Sequence, residues 1–159
     1  DESGRRNPAH GVHIDLGVPT IVFLTVCSKD RAGWLADEKA TALLAAWQEA
    51  DAWRVGRYVL MPDHVHLFCT PQALDVPLDG WVRFWKSRFR RFTPGRGWRW
   101  QSHHWDTRLR RGESYAEKWE YVRQNPVRAG LVSEGEVWPF QGEMLGFIGD
   151  REGEAPAEP

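Results

Sequence analysis

Two histidines separated by one residue, His64 and His66, lie in the run His64 to Thr70 (HVHLFCT), just after the turn-forming Met61-Pro62-Asp63. If that run is a strand, its two-residue side-chain period sends both imidazoles to one face and Val65 to the other. Neutral imidazole nitrogens can hold a divalent ion and leave coordination positions open for substrate oxygens. An isolated HxH is more often a half-solvated pair, so it needs support from elsewhere in the chain. Tyr121 lies four residues before Asn125 on a predicted helix, which stacks the phenol and the carboxamide on one face unless the turn unwinds before Pro126. The bland reading packs Tyr121 in the core and uses Asn125 as a helix C-cap. The chemical reading joins His64, His66 and the Asn125 amide oxygen in a sparse site suited to Mg²⁺ or Mn²⁺. Tyr121 is then the nucleophile at a phosphorus atom. A phenol titrates near pH 10, about three units above neutrality, so metal or nearby positive charge must favour the phenolate. Asp63 adjoins His64, but strand alternation turns it to the other face unless the turn redirects it.

Phosphate chemistry asks for cations, and the charge pattern supplies them. The net charge of −1 conceals ten Lys/Arg against the single acid Asp106 between Trp81 and Arg111, while residues 134–159 are strongly acidic. The basic stretch reads as a polyanion-binding surface. Arg88, Arg90, Arg91, Arg96 and Arg99 are the backbone-binding candidates, joined by Arg83 and Lys86, which a solvated helix face also explains. Ten Trp residues are far more than a chain of 159 needs. Trp98 and Trp100 are candidates for stacking on unpaired bases, although a core role fits either equally well. Arg123 and Arg128 flank the Tyr/Asn segment and are candidates for contacts to phosphate near a cut.

The elements that must position these groups follow from periodicity. Thr20 to Cys27 reads as a buried strand, Asp37 as an N-cap, and Glu38 to Trp53 as a helix. Residues 55–60 and 64–70 read as a hairpin, and Leu78 to Phe92 as a second helix after Pro77. Ser114 and Glu117 form a capping-box start to a helix ending near Gln124. Trp98 to Gln101 is the candidate for a final strand. This order predicts an α+β, ferredoxin-like sandwich, an antiparallel sheet with helices on one face. We expect a single domain over residues 1–150 and a disordered acidic tail over 151–159. Cys27 and Cys69 sit in apolar runs without a CxxC pair, which fits a reduced compartment; with no membrane-length apolar stretch, the expectation is a cytoplasmic, nucleoid-associated protein.

The segments YVLMPDHVHLF and EYVRQNPVRAGLV resemble the two signature segments of the IS200-like tyrosine transposases, in the branch associated with repetitive extragenic palindromes. These are HUH single-strand endonucleases, and the similarity extends over most of residues 20–140. The resemblance implies a ferredoxin-like core, His64 and His66 as metal ligands, Tyr121 as nucleophile and Asn125 as the polar residue completing a Mg²⁺ or Mn²⁺ site. It also implies single-stranded DNA with a palindromic hairpin as partner, a 5′-phosphotyrosine intermediate, and a monomer, with dimers known among the insertion-sequence relatives. The stretch QSHHWDTRLR departs from the family's usual pattern, and His103 and His104 become competing metal candidates. Two other readings remain open: a non-cleaving protein that binds structured DNA or RNA, and a metal-dependent phosphoesterase using water.

Overall fold

The computed structural model describes residues 20–95, 97–109 and 115–147. Arg96, the Ser114 capping box and the acidic tail lie outside the described residues. The order of elements is β1 (Val22–Cys27), α1 (Lys39–Glu49), β2 (Trp53–Met61), β3 (His64–Pro71), α2 (Leu78–Phe92), β4 (Trp105–Arg108), α3 (Tyr115–Val122), α4 (Asn125–Arg128) and β5 (Gln141–Glu143). The strands form one sheet in the order β4-β1-β3-β2-β5, with every pairing antiparallel. Its first four strands and two long helices have the ferredoxin-like arrangement that the sequence predicts.

Alternation along the central strand β3 divides the molecule. Val65, Leu67 and Cys69 enter a large core shared with Leu43 and Trp47 of α1 and with Trp81, Trp85 and Phe89 of α2. Phe68 enters a second core on the opposite face, with Ile21, Val59, Met61, Tyr115, Val122 and Phe147. The two long helices therefore share one face, as predicted, and the short α3 covers part of the other. β2 keeps both faces apolar through a one-residue bulge between Val55 and Tyr58. The extra residue shifts the parity, so Val55 before the bulge and Leu60 after it both join the larger core.

Two elements differ from the sequence expectation, while the Asp37 cap agrees with it. α1 stops at Glu49 rather than reaching Trp53, which instead opens β2, fully buried with its indole N–H donating to the Val76 carbonyl at 2.9 Å. Asp37 accepts a hydrogen bond from the Lys39 backbone N–H at 2.8 Å and so caps the helix start. The expected strand at Trp98 to Gln101 is only one bridge, Ser28 to Trp100, and the true edge strand is β4. Trp100 is held instead by packing, with its ring 5.2 Å from Trp34 and 5.4 Å from both Trp85 and Phe89.

Gly56 sits in the bulge against α3. A Cβ there would come within 2.6 Å of the Phe147 ring and 2.7 Å of the Tyr115 hydroxyl, which itself accepts the Arg57 backbone N–H at 3.0 Å. Gly56→Ala should therefore lower unfolding stability by about 1–3 kcal/mol, measured by urea denaturation, because the second core must move to admit the methyl.

Candidate active site

The histidines emerge on the sheet face opposite the long helices. Their rings lie 4.7 Å apart, and each has its Nδ1 engaged by a neighbour. His66 Nδ1 is 2.8 Å from Thr25 Oγ1 of the adjacent β1, and Phe23 stacks on the His66 ring at 5.2 Å. His64 Nδ1 is 2.8 Å from Asp63 Oδ1. Arg31 Nη2 reaches within 3.4 Å of the same nitrogen, but two donors cannot share it, and the shorter carboxylate contact favours an Nδ1–H tautomer. In this arrangement each Nε2 is the nitrogen left for a ligand. A carboxylate behind a metal-binding imidazole fixes its tautomer and raises its basicity, the role Asp63 is placed to play, while the Thr25 hydroxyl, able to donate or accept, orients the His66 ring.

Asp63 is reached because the two-residue turn at Pro62-Asp63 swings its carboxylate back toward His64, against the alternation argument. Burial alone would raise its carboxyl pKa, but hydrogen bonds from His64 and from Arg31, at 3.0 Å, hold it below the ordinary carboxylate range. Arg31 arrives from a 3₁₀ turn in which Asp30 and Arg31 both adopt positive φ, 58° and 54°. Sequence reasoning missed Arg31 and Thr25, whose roles depend on partners more than 30 residues away. His66 is pushed down to about 3, first by burial and then by the charges of His64, Lys118, Arg128 and Arg31. It is thus a neutral imidazole across the physiological range, as metal ligation requires.

Lys118 and Arg128 appear among those charges because α3 packs on the histidine face and α4 follows it directly. Lys118 Nζ lies 5.0 Å above Phe23, the ring that stacks on His66. Tyr121, near the end of α3, is 64% exposed and is not a core residue. The helix does unwind at Arg123-Gln124 and resumes as α4, so Tyr121 and Asn125 are not on one continuous helix. Arg128 spans the break. Its guanidinium lies 4.2 Å above the Tyr121 ring, and its Nη2 donates to the Tyr121 carbonyl at 2.9 Å and to Asn125 Oδ1. Arg123 instead pairs with Glu120 at 3.0 Å. Among the described residues no three His, Cys, Asp or Glu side chains form a ready metal cluster, so a site on the two imidazoles requires an oxygen donor of another kind. The Asn125 amide oxygen is chemically suited to that place.

The basic residues divide between two surroundings. Lys29, Arg83, Lys86, Arg90, Arg99 and Gln101 line a cleft of about 890 Å³ between α2 and the segment after it. Lys86 donates to the Gln101 carbonyl at 2.8 Å and has its pKa lowered by burial, so it also holds the cleft wall in place. Arg88 pairs with Glu49 of α1 at 3.1 Å and lies over Phe84, which accounts for it structurally; Arg91 is exposed near the end of α2. Trp98 carries Lys39 Nζ above its ring at 4.1 Å, and Trp100 is wedged among aromatics, so neither offers a free stacking face comparable to Trp105. Trp105 is 52% exposed and pairs with Thr25, the residue that also pairs with His66 on the other side. It therefore belongs to the histidine face. His103 packs edge-on against Trp105 at 5.0 Å, and His104 Nε2 is engaged by Asp79 and Asp106 at 3.2 and 3.4 Å. Neither histidine is assembled with the His64–His66 pair.

The chain is 28% identical over 90 residues, 55% of its length, to a REP-associated tyrosine transposase of Escherichia coli (strain K12). The match covers 53% of that protein, so the chain spans about half the length of this relative. No family model matches. Among solved structures, a REP-associated tyrosine transposase bound to a REP hairpin superposes with a TM-score of 0.67 at 22% identity, over 81% of this chain and 80% of that one.

Because the folded pKa of His66 lies below its unfolded value, the unfolded chain binds the extra proton first. Stability is then fully present above about pH 6.5 and is lost as pH falls toward 3, by up to roughly 1.4 kcal/mol per pH unit from this residue. In chelator-treated protein, ¹⁵N NMR of the imidazoles should show His66 neutral down to about pH 4; protonation near pH 6 would contradict its burial.

Proposed function

We infer that this chain, a homologue of the REP-associated and IS200-like tyrosine transposases, is a metal-dependent single-stranded DNA endonuclease and strand transferase that acts beside a DNA hairpin. The observation that supports this reading is the packing of α3, which carries Tyr121, on the sheet face from which both imidazoles emerge, each with its Nδ1 engaged by a neighbour.

His64, His66 and Asn125 would hold Mg²⁺ or Mn²⁺ through two Nε2 atoms and Oδ1. The bound ion would supply charge stabilisation at the scissile phosphate. Tyr121 Oη attacks the phosphorus, the bond to the 3′ oxygen breaks, and that oxygen takes a proton to leave a free 3′-OH. The phosphodiester energy is retained in the 5′-phosphotyrosine, so attack by a 3′-OH reverses the step and rejoins strands. Asp63 and Thr25 keep the imidazoles oriented, and the positive charges of Arg128 and Lys118 favour the incoming phosphate.

The basic cleft fits the phosphate backbone of flanking DNA through Lys29, Arg83, Arg90 and Arg99, with Arg91 as a further contact. Trp105 is the better stacking platform for an unpaired base than Trp98 or Trp100, because it stands exposed on the face where cutting would occur. The water-using phosphoesterase is less well supported. Its best base, Asp63, is occupied by His64 and Arg31.

Incubation with labelled hairpin DNA carrying single-stranded flanks, in Mg²⁺ or Mn²⁺, should give a denaturation-resistant protein–DNA adduct with the wild type and none with Tyr121→Phe. Cutting without an adduct that survives in Tyr121→Phe would establish hydrolysis instead, and tight binding without cutting would make the chain a binding protein. The double variant Arg90→Ala/Arg99→Ala should weaken hairpin binding and lower the slope of log affinity against log salt by about one to two, with the melting temperature unchanged.

A further inference from the structure

Arg128 touches both halves of the Tyr121–Asn125 pair at once. Its guanidinium covers the Tyr121 ring, accepts no proton, and donates to the Tyr121 carbonyl and to Asn125 Oδ1. That amide oxygen is the same atom the proposed metal site needs. A guanidinium bonded to it and a divalent cation bonded to it repel each other at close range, in a setting where the charge of Arg128 is already felt at His66. The contact has a second consequence. Because α3 and α4 are separated by the Arg123-Gln124 turn, no continuous helix fixes Tyr121 relative to Asn125; the break is crossed by the Gln124 N–H donating to the Tyr121 carbonyl and by Arg128 Nη2, which reaches both residues.

We propose that Arg128 is a positioning residue that acts as a latch: it occupies Asn125 Oδ1 and pins Tyr121 until a substrate phosphate draws the guanidinium away, so that DNA arrival and metal ligation by Asn125 are coupled. The proposal rests on the metal site described above and adds its order of assembly. A planar guanidinium binds phosphate oxygens in bidentate fashion, which gives it a stronger partner than a neutral amide. When it moves to the phosphate, Oδ1 is released to the cation and the Tyr121 ring loses its cover, while Arg128 remains beside the reacting phosphorus. The arrangement suppresses metal loading in the absence of DNA. By linkage, DNA must then tighten the metal and the metal must tighten DNA by the same factor.

The test uses the full chain in a Tyr121→Phe background, which keeps the ring and carbonyl that Arg128 touches and removes the attacking oxygen. Mn²⁺ affinity is read from the free-ion EPR signal, with and without a hairpin oligonucleotide bearing a single-stranded flank. Arg128→Met retains a long side chain over the ring without donors or charge; since Arg128 is exposed, its melting temperature should match the parent. We expect Arg128→Met to bind Mn²⁺ about tenfold more tightly than the parent without DNA, and the oligonucleotide to tighten the parent about tenfold while leaving Arg128→Met nearly unchanged. If Arg128→Met is no tighter than the parent while Asn125→Ala is weaker, the latch is wrong and the metal site stands. If His66→Ala and Asn125→Ala bind Mn²⁺ as the parent does, the metal site itself is wrong and the latch falls with it.

Discussion

The register of β3 is the constraint on which the site depends. As the central strand it pairs with β1 on one side and β2 on the other, and its alternate residues Val65, Leu67 and Cys69 are fully buried beneath the long helices. Burial contributes about 1.5–3 kcal/mol for a side chain such as Val65 or Leu67. A slip by one residue would exchange the two faces, expose these side chains and drive two imidazoles into an aromatic core. The packing of the helix face thus decides where His64 and His66 point, without any direct contact between helix and histidine. The same register sets Thr25 opposite His66, so the strand pairing that builds the core also delivers the hydrogen-bond partner of the imidazole.

The two faces consequently have different work. Aromatic residues saturate the helix face: Trp81 and Trp85 stand 6.2 Å apart, Trp47 and Trp85 5.9 Å, and the Trp81 indole donates to the Ala50 carbonyl at 2.6 Å. Much of the tryptophan excess is therefore the material of a dense core, and the basic residues of α2 sit on its outer side. Around the histidines the packing is sparser, and α3 contributes only Tyr115 and Val122 as buried residues. A short helix anchored at two points leaves Tyr121, in its second turn, facing outward. Exposure of a large aromatic is poor for stability and suits a group that must meet a substrate.

Much of this was legible in the sequence because it rests on local periodicity. The strand with the histidines, the full span of α2 and the ferredoxin-like order all follow from patterns within single segments. What escaped depends on tertiary demand. Trp53 matches a helical spacing as well as a strand, and only its burial and its bond to Val76 decide the matter. Trp98 to Gln101 has strand-like composition, yet packing of Trp100 against Trp34 and Phe89 holds it off the sheet. Alternation turns Asp63 away from the histidine face unless the turn redirects it, and only the folded two-residue turn decides that it does. Arg31 could not have been found from spacing at all, since its position depends on a positive-φ turn meeting a carboxylate 32 residues away.

The site is also divided in rigidity, and the division has a chemical logic. His64 and His66 are set in a five-stranded sheet, braced by Asp63, Thr25 and Phe23, and their positions follow from the fold itself. Tyr121 and Asn125 ride on two short helices separated by a turn, and the exposed Arg128 bonds to both. On the proposed reading, a nucleophile that attacks, remains bonded to one strand end and then accepts the return of another needs room to move, whereas ligands gain nothing from motion. Imidazoles on the sheet and a phenol on a lightly anchored helix would satisfy both demands within one small chain. The proposed latch adds a charged group bonded across the break, the guanidinium of Arg128, which would hold the two halves in register before substrate arrives.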